Sequence, residues 1–134
     1  MVHPFTALIA GPTGVGKSEW VARLIRQGHD MCTMYPERIV WVYSEWQPLY
    51  ETLERERIVE IEFVQDLDQV DAIIDTLAPE RPQWLIFDDL MDNPKRIADW
   101  FTKKSHHRNV SVIHIVQNLF HQNKEQRTIS LNAH

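Results

Sequence analysis

Apolar and polar positions along the chain switch between two periods, and the switches set out a succession of strands and helices. Phe5 to Ala10 is a short apolar run that stops at glycine, the mark of a buried strand. From Lys17 to Gln27, the residues Trp20, Val21, Leu24 and Ile25 share one helical face, and Gly28 supplies a stop signal. Arg38 to Tyr43 is β-branched and aromatic like a buried strand, Gln47 to Arg55 suits a short helix, and Ile58 to Val64 alternates like a strand. Asp66 can cap a following helix in which Val70, Ile73, Ile74 and Leu77 fall on one face, until Pro79 and Pro82 break the pattern. Trp84 to Phe87 predicts another buried strand. Asn93 before Pro94 makes an N-cap and first-turn pair for a helix that carries Ile97, Trp100 and Phe101, and Val110 to Val116 reads as a central strand. Helices alternating with nearly continuous apolar strands predict an α/β fold, a parallel sheet covered by helices on both faces.

With 134 residues and no internal repeat, low-complexity tract or linker-like stretch, a single domain over 1–134 is expected. An apolar share of 43% with 25% charged residues fits a globular chain that buries a core, and excludes a disordered or fibrous one. No apolar run approaches the roughly 20 residues of a membrane span, and the first segment lacks a charged n-region and a small-residue cleavage site, so no membrane partner is expected. Cys32 is the single cysteine, which leaves no intrachain disulfide and no CxxC signature and suits a reduced, cytosolic or nuclear setting. The net charge of −5 argues against a nucleic-acid binder over its whole surface and restricts any such contact to a local patch.

Gly11 to Ser18 reads GPTGVGKS, which satisfies G-x-x-x-x-G-K-[ST] between a predicted strand and a predicted helix, the context this phosphate-binding motif requires. Glycines at 11, 14 and 16 let the backbone wrap a phosphate with its N–H groups inward, and Pro12, Thr13 and Val15 complete the loop. Lys17 would bridge the β- and γ-phosphates of ATP, Ser18 would place its hydroxyl on Mg²⁺, and the positive end of the helix dipole would face the triphosphate. A chance glycine-rich turn is the bland alternative, and the flanking elements weigh against it.

Further along, WLIFDDL (Trp84 to Leu90) runs four apolar residues into two aspartates, the pattern of a Walker B strand. Asp88 would hold the Mg²⁺ shell. Asp89 could accept a proton from the attacking water or orient it, a role that hydrolysis needs and transfer to a bound substrate does not. Both acids could instead merely end a strand or cap the helix after Asn93. The strand from Val110 ends in Gln117 and Asn118; an amide there could bond the γ-phosphate or the water and report hydrolysis, though such residues also make ordinary turns.

Lys95, Arg96, Lys103, Lys104 and Arg108, beside His106 and His107, form a basic stretch in an acidic protein. It could contact DNA phosphates, Arg108 could reach a neighbouring subunit's ATP as an arginine finger, or the stretch could be a solvated helix face. Adjacent histidines without cysteine or carboxylate partners at ligand spacing make a weak zinc site, so Mg²⁺ is the metal expected. Trp41, Trp46 and Trp100 read as packing residues, with adenine stacking as the other role open to them. Asn123 to Gln126 reads NKEQ and lacks the aspartate of a guanine-reading N-K-x-D segment, and a chain this short shows no obvious kinase lid.

Taken together, HPFTALIAGPTGVGKS (His3 to Ser18), YSEWQPLY (Tyr43 to Tyr50), LIFDDLM (Leu85 to Met91), SHHRNVSVIHIVQNLF (Ser105 to Phe120) and RTISLNAH (Arg127 to His134) resemble, in that order and over nearly the whole chain, the genome-packaging ATPases of double-stranded DNA viruses in the FtsK/HerA lineage. The resemblance implies a RecA-like P-loop ASCE sheet and an ATP-hydrolysing translocase. Such a motor would act as a homo-oligomeric ring that drives double-stranded DNA into a preformed capsid, beside a capsid or portal-vertex protein, at virion-assembly sites in the host cytoplasm or nucleus. Carried onto this chain, Lys17 and Ser18 are the Walker A pair, Asp88 and Asp89 the Walker B pair, Gln117 the strand-end sensor, and Arg108 a matching basic position. In that family a further strand follows the segment matching RTISLNAH. The expectation here is therefore a C-terminally truncated domain that lacks the edge strand beside the phosphate-loop strand and exposes that edge. From another class, an ATP-switched binding or assembly module with little DNA-dependent turnover fits the same phosphate loop.

Overall fold

A computed structural model describes residues 3–11, 16–31, 34–90, 94–104, 108–117 and 128–133. Six strands form one sheet: β1 (Phe5–Gly11), β2 (Arg38–Tyr43), β3 (Glu60–Val64), β4 (Gln83–Asp88), β5 (Val110–Gln117) and β6 (Thr128–Ala133). Their spatial order is β3-β2-β4-β5-β1-β6, with the first five parallel. The chain leaves β1 for β2 and later returns through β4 and β5 to fill the gap between them. A crevice outside the carboxyl ends of the strands at such a reversal is where open α/β sheets take their ligands.

Helices α1 (Lys17–Met31) and α2 (Pro48–Glu56) lie on one face. Val21, Ala22, Leu24 and Ile25 of α1, with Tyr50 and Leu53 of α2, pack on Ile9, Ile39, Trp41, Ile86 and Ile113. The opposite face belongs to α3 (Val70–Ile74) and α4 (Pro94–Asp99), whose Val70, Ile74 and Ile97 join Trp100 over Val40, Val42, Leu85, Phe87 and Val112. Alternate residues of the central strands feed opposite cores, which explains why those strands are apolar at every position.

Two expectations are corrected. The edge beside β1 is not bare: Thr128–Ala133 pairs antiparallel with it, from Phe5↔Ala133 to Ala10↔Thr128. The segment alternates polar and apolar residues, as an edge strand does, and it satisfies backbone groups that β1 would otherwise leave open. The sheet is accordingly mixed at that one edge. Gly28 does not stop α1, which continues to Met31. A Cβ at Gly28 would stand 2.7 Å from Tyr35 Cε1 and 3.5 Å from the Trp84 ring, so the glycine admits a close approach within the helix.

The remaining elements follow their local signals. Asp66 accepts from the Asp68 N–H at 2.9 Å and caps a 3₁₀ turn, Leu67–Gln69, that leads into α3. Pro48 occupies the first turn of α2, and Arg57, at φ 51°, ends it in the left-handed conformation. After α4 the chain widens into a π-helical segment, Trp100–Lys104. The proposed Asn93 cap lies outside the described residues. No helix among the described residues is long and apolar enough to cross a membrane.

Candidate functional site

Gly11 ends β1 and α1 begins at Lys17, so the span that carries GPTGVGKS joins a strand to a helix at the carboxyl edge of the sheet. Pro12, Thr13, Gly14 and Val15 lie outside the described residues. Gly16 has φ +72°, a conformation that glycine adopts without steric cost. It turns the chain so that α1 starts with Lys17 and Ser18 facing the strand ends.

Lys17 is largely buried and donates from Nζ to the Gly11 carbonyl at 2.8 Å and to the Val116 carbonyl at 3.0 Å. An ammonium has three donors, so two fix its position and the third remains for a ligand. Burial lowers the Lys17 pKa, and the charges of Asp89 and Asp88 counter that shift.

Asp88, the last residue of β4, is 2% exposed. Three donors converge on its Oδ2: Tyr50 OH at 2.6 Å, Ser18 Oγ at 3.1 Å and Trp41 Nε1 at 3.2 Å. Oδ1 takes no hydrogen bond among the described residues. Burial raises the Asp88 pKa; the bonds from Tyr50, Ser18 and Trp41 pull it back, and the neighbouring Asp89 adds to the rise. The Tyr50 hydroxyl is pushed well above the usual tyrosine range, first by burial and then by its bond to Asp88. It therefore serves Asp88 as a donor.

Asp89 differs from its neighbour in every respect but chemistry. Its φ of 56° turns the chain out of β4, its N–H donates to the Ile115 carbonyl at 2.8 Å, and its residue is exposed. Gly16, Lys17, Ser18, Glu19, Gln47, Pro48, Leu49, Asp88 and Asp89 line one open cavity of about 410 Å³. Two adjacent carboxylates thus meet the same space from a buried, hydrogen-bonded setting and from a solvated one, an arrangement that separates the roles of two acids.

Residues distant in sequence are thereby brought together: Lys17, Ser18, Asp88 and Asp89 share the cavity. The parallel register sets Gln117 opposite Gly11 and Asp88 opposite Ile115, so Gln117 ends β5 between the phosphate-loop strand and the aspartate strand. Arg108 is not brought there. It precedes β5 at the other end of the sheet, roughly 25 Å away by the length of that eight-residue strand, and pairs with Asp75. Arg96 pairs with Asp68 and Lys104 with Asp71, the latter at 3.0 Å, so these three cations of the basic stretch face aspartates of the 3₁₀ turn, α3 and its C-cap. Lys104 also lies 5.3 Å from the Trp100 ring centroid. His106, His107, Asn118 and the segment from Asn123 to Gln126 lie outside the described residues, as does Cys32.

Sequence reasoning missed Tyr50 and the polar role of Trp41. Trp41 packs as expected, yet its indole N–H also reaches Asp88. A tyrosine in the first turn of a helix and a tryptophan inside an apolar strand carry polar tips that need partners once buried, and that was the available signal. Trp100 is buried as expected, whereas Trp46 is 42% exposed and meets Tyr50 and Phe63 edge-on.

The donor set fits Mg²⁺. One hydroxyl and one carboxylate stand 3.1 Å apart, and a hard cation that keeps several waters and substrate oxygens needs no larger protein cage. Among the described residues no group of three or more His, Cys, Asp or Glu is placed to hold a metal. In comparisons with known proteins, no family model and no curated protein matches the chain.

Proposed function

We propose that this protein is a P-loop ATPase with a RecA-like sheet, and that it couples ATP hydrolysis to translocation of double-stranded DNA as a ring-forming motor of the viral packaging type. The observation that carries the ATPase reading is the convergence of Lys17, Ser18, Asp88 and Asp89 on one cavity at the carboxyl ends of parallel strands. The cargo and the ring rest on the sequence resemblance alone.

In this reading the loop from Gly11 to Gly16 offers backbone N–H groups to the phosphates, and Lys17 balances their charge. Ser18 Oγ and the Asp88 carboxylate would hold Mg²⁺, which neutralises charge on the β- and γ-phosphates when bound. Asp89 takes the proton of a water that attacks the γ-phosphorus, while the bond from that phosphorus to the β–γ bridging oxygen breaks, giving ADP and phosphate. Gln117, at the end of the intervening strand, is the candidate sensor of the γ-phosphate. Arg108 would act only on a neighbouring copy's site.

Steady-state ATP hydrolysis and nucleotide binding test this directly. Asp89→Asn should retain ATP binding and lower turnover by about 10²–10⁴-fold, and Lys17→Ala should weaken both; wild-type turnover in the Asp89 variant would remove Asp89 from its role. Stimulation by double-stranded DNA supports the translocase. Hydrolysis indifferent to DNA supports the second reading, an ATP-switched module, which the pairing of Arg96, Lys104 and Arg108 with aspartates favours.

A further inference from the structure

The carboxylate of Asp88 is gripped from two elements that the phosphate motifs do not include. Tyr50 comes from the first turn of α2 and Trp41 from the middle of β2, and both donate to the same oxygen, at 2.6 and 3.2 Å. Both side chains are fully buried, and their rings pack at 5.3 Å between centroids, with Phe63 at 4.9 Å from Tyr50 and 5.8 Å from Trp41. Neither donor can swing away without disrupting this packing, so the direction of the Asp88 carboxyl is set by an aromatic wall rather than by its own strand. A buried carboxylate needs hydrogen-bond donors in place of the water it has lost. The grip falls on Oδ2 alone.

We infer that Tyr50 and Trp41 are positioning residues for the divalent cation of the nucleotide: they anchor Asp88 through Oδ2 beside Ser18, with Oδ1 left to serve the cation. This rests on the ATPase reading. The same helix delivers Gln47, Pro48 and Leu49 to the cavity wall, so α2 fixes the cation carboxylate and bounds the ligand space with one turn.

Tyr50→Phe removes one hydroxyl and keeps the ring. Binding of a fluorescent ADP analogue is measured by anisotropy in excess EDTA and then across a Mg²⁺ titration, with the hydrolysis rate at saturating ATP followed over the same titration. Outer partners of metal ligands typically change metal affinity by 10–100-fold, so the half-saturating Mg²⁺ concentration should rise about tenfold while affinity in EDTA stays at the wild-type value. Trp41→Phe should shift it in the same direction, and raised Mg²⁺ should restore turnover in both variants. An unshifted Mg²⁺ midpoint in Tyr50→Phe overturns the inference, as does an equal loss of affinity in EDTA, which would mark a merely structural role. Failure of the ATPase reading looks different: wild-type protein would then show no Mg²⁺-dependent nucleotide binding at all.

Discussion

Each end of the sheet buries a charged strand residue, and the two are treated in opposite ways. At the amino end Arg38 donates to Gln83 Oε1 from Nε and Nη2 at 3.1 and 2.7 Å, to Thr76 Oγ1 at 2.7 Å and to the Ile73 carbonyl at 2.5 Å. Gln83 passes the connection on through its amide to the Ile74 carbonyl at 2.9 Å, so together the two side chains satisfy the last carbonyls of α3. Every group in that network has a fixed partner, and its product is a rigid join between β2, β4 and α3. At the carboxyl end Asp88 has three donors on one oxygen and none on the other among the described residues. A buried charge with saturated partners is architecture; one held from a single side keeps a coordination position for something else.

The comparison can be broken most severely at Arg38. Arg38→Met should cost about 1.5–3 kcal/mol, the range for hydrogen bonds to a charged group, and lower the melting temperature by several degrees in a thermal scan. Hydrolysis per folded molecule should be unchanged, because the network lies a full strand length from Asp88.

Asp88→Asn should act in the opposite sense. Burial raises the folded-state pKa of Asp88 above its unfolded value, so its contribution favours folding below the unfolded carboxylate pKa and is lost as pH rises through the raised value. At neutral pH the ionised group is a liability that the amide removes, so the variant should melt at a higher temperature than the wild type while losing Mg²⁺-dependent nucleotide binding. The difference in melting temperature should shrink on acidification toward pH 4; a difference independent of pH would show that burial of the charge is not its source.

The smallest effect belongs to Arg108, whose pair with Asp75 is about half exposed on both sides. Arg108→Ala should change stability by less than about 0.5 kcal/mol. Turnover of dilute protein should be unaffected, since the cavity that holds Lys17 and Asp88 lies at the opposite end of the sheet.

The order and type of the elements as far as β5 were legible because each is written in local terms: apolar runs at 5–10, 38–43, 84–87 and 110–116 match β1, β2, β4 and β5 to within a residue or two. The core acids and the lysine were legible for the same reason, since a G-x-x-x-x-G-K-S segment and an apolar strand ending in aspartates are contiguous patterns. Gly28 misled because its purpose is to admit Tyr35 and Trp84, neither of which is near it in the helix. The partners of the basic stretch were hidden for a similar reason. Its charges were visible in the sequence, but the facing aspartates at 68, 71 and 75 are neighbours only after α3 and α4 pack on the same face.

By itself the sequence determined the alternation of strands and helices, the lysine and serine that follow the glycine-rich segment, and the paired acids, because period and motif act over a few residues. Only the tertiary structure decided which strands are neighbours, that β6 closes the edge beside β1, and that Tyr50 and Trp41 grip Asp88. Those outcomes depend on hydrogen bonds and packing between segments far apart in the chain, whose geometry exists only when the sheet has assembled.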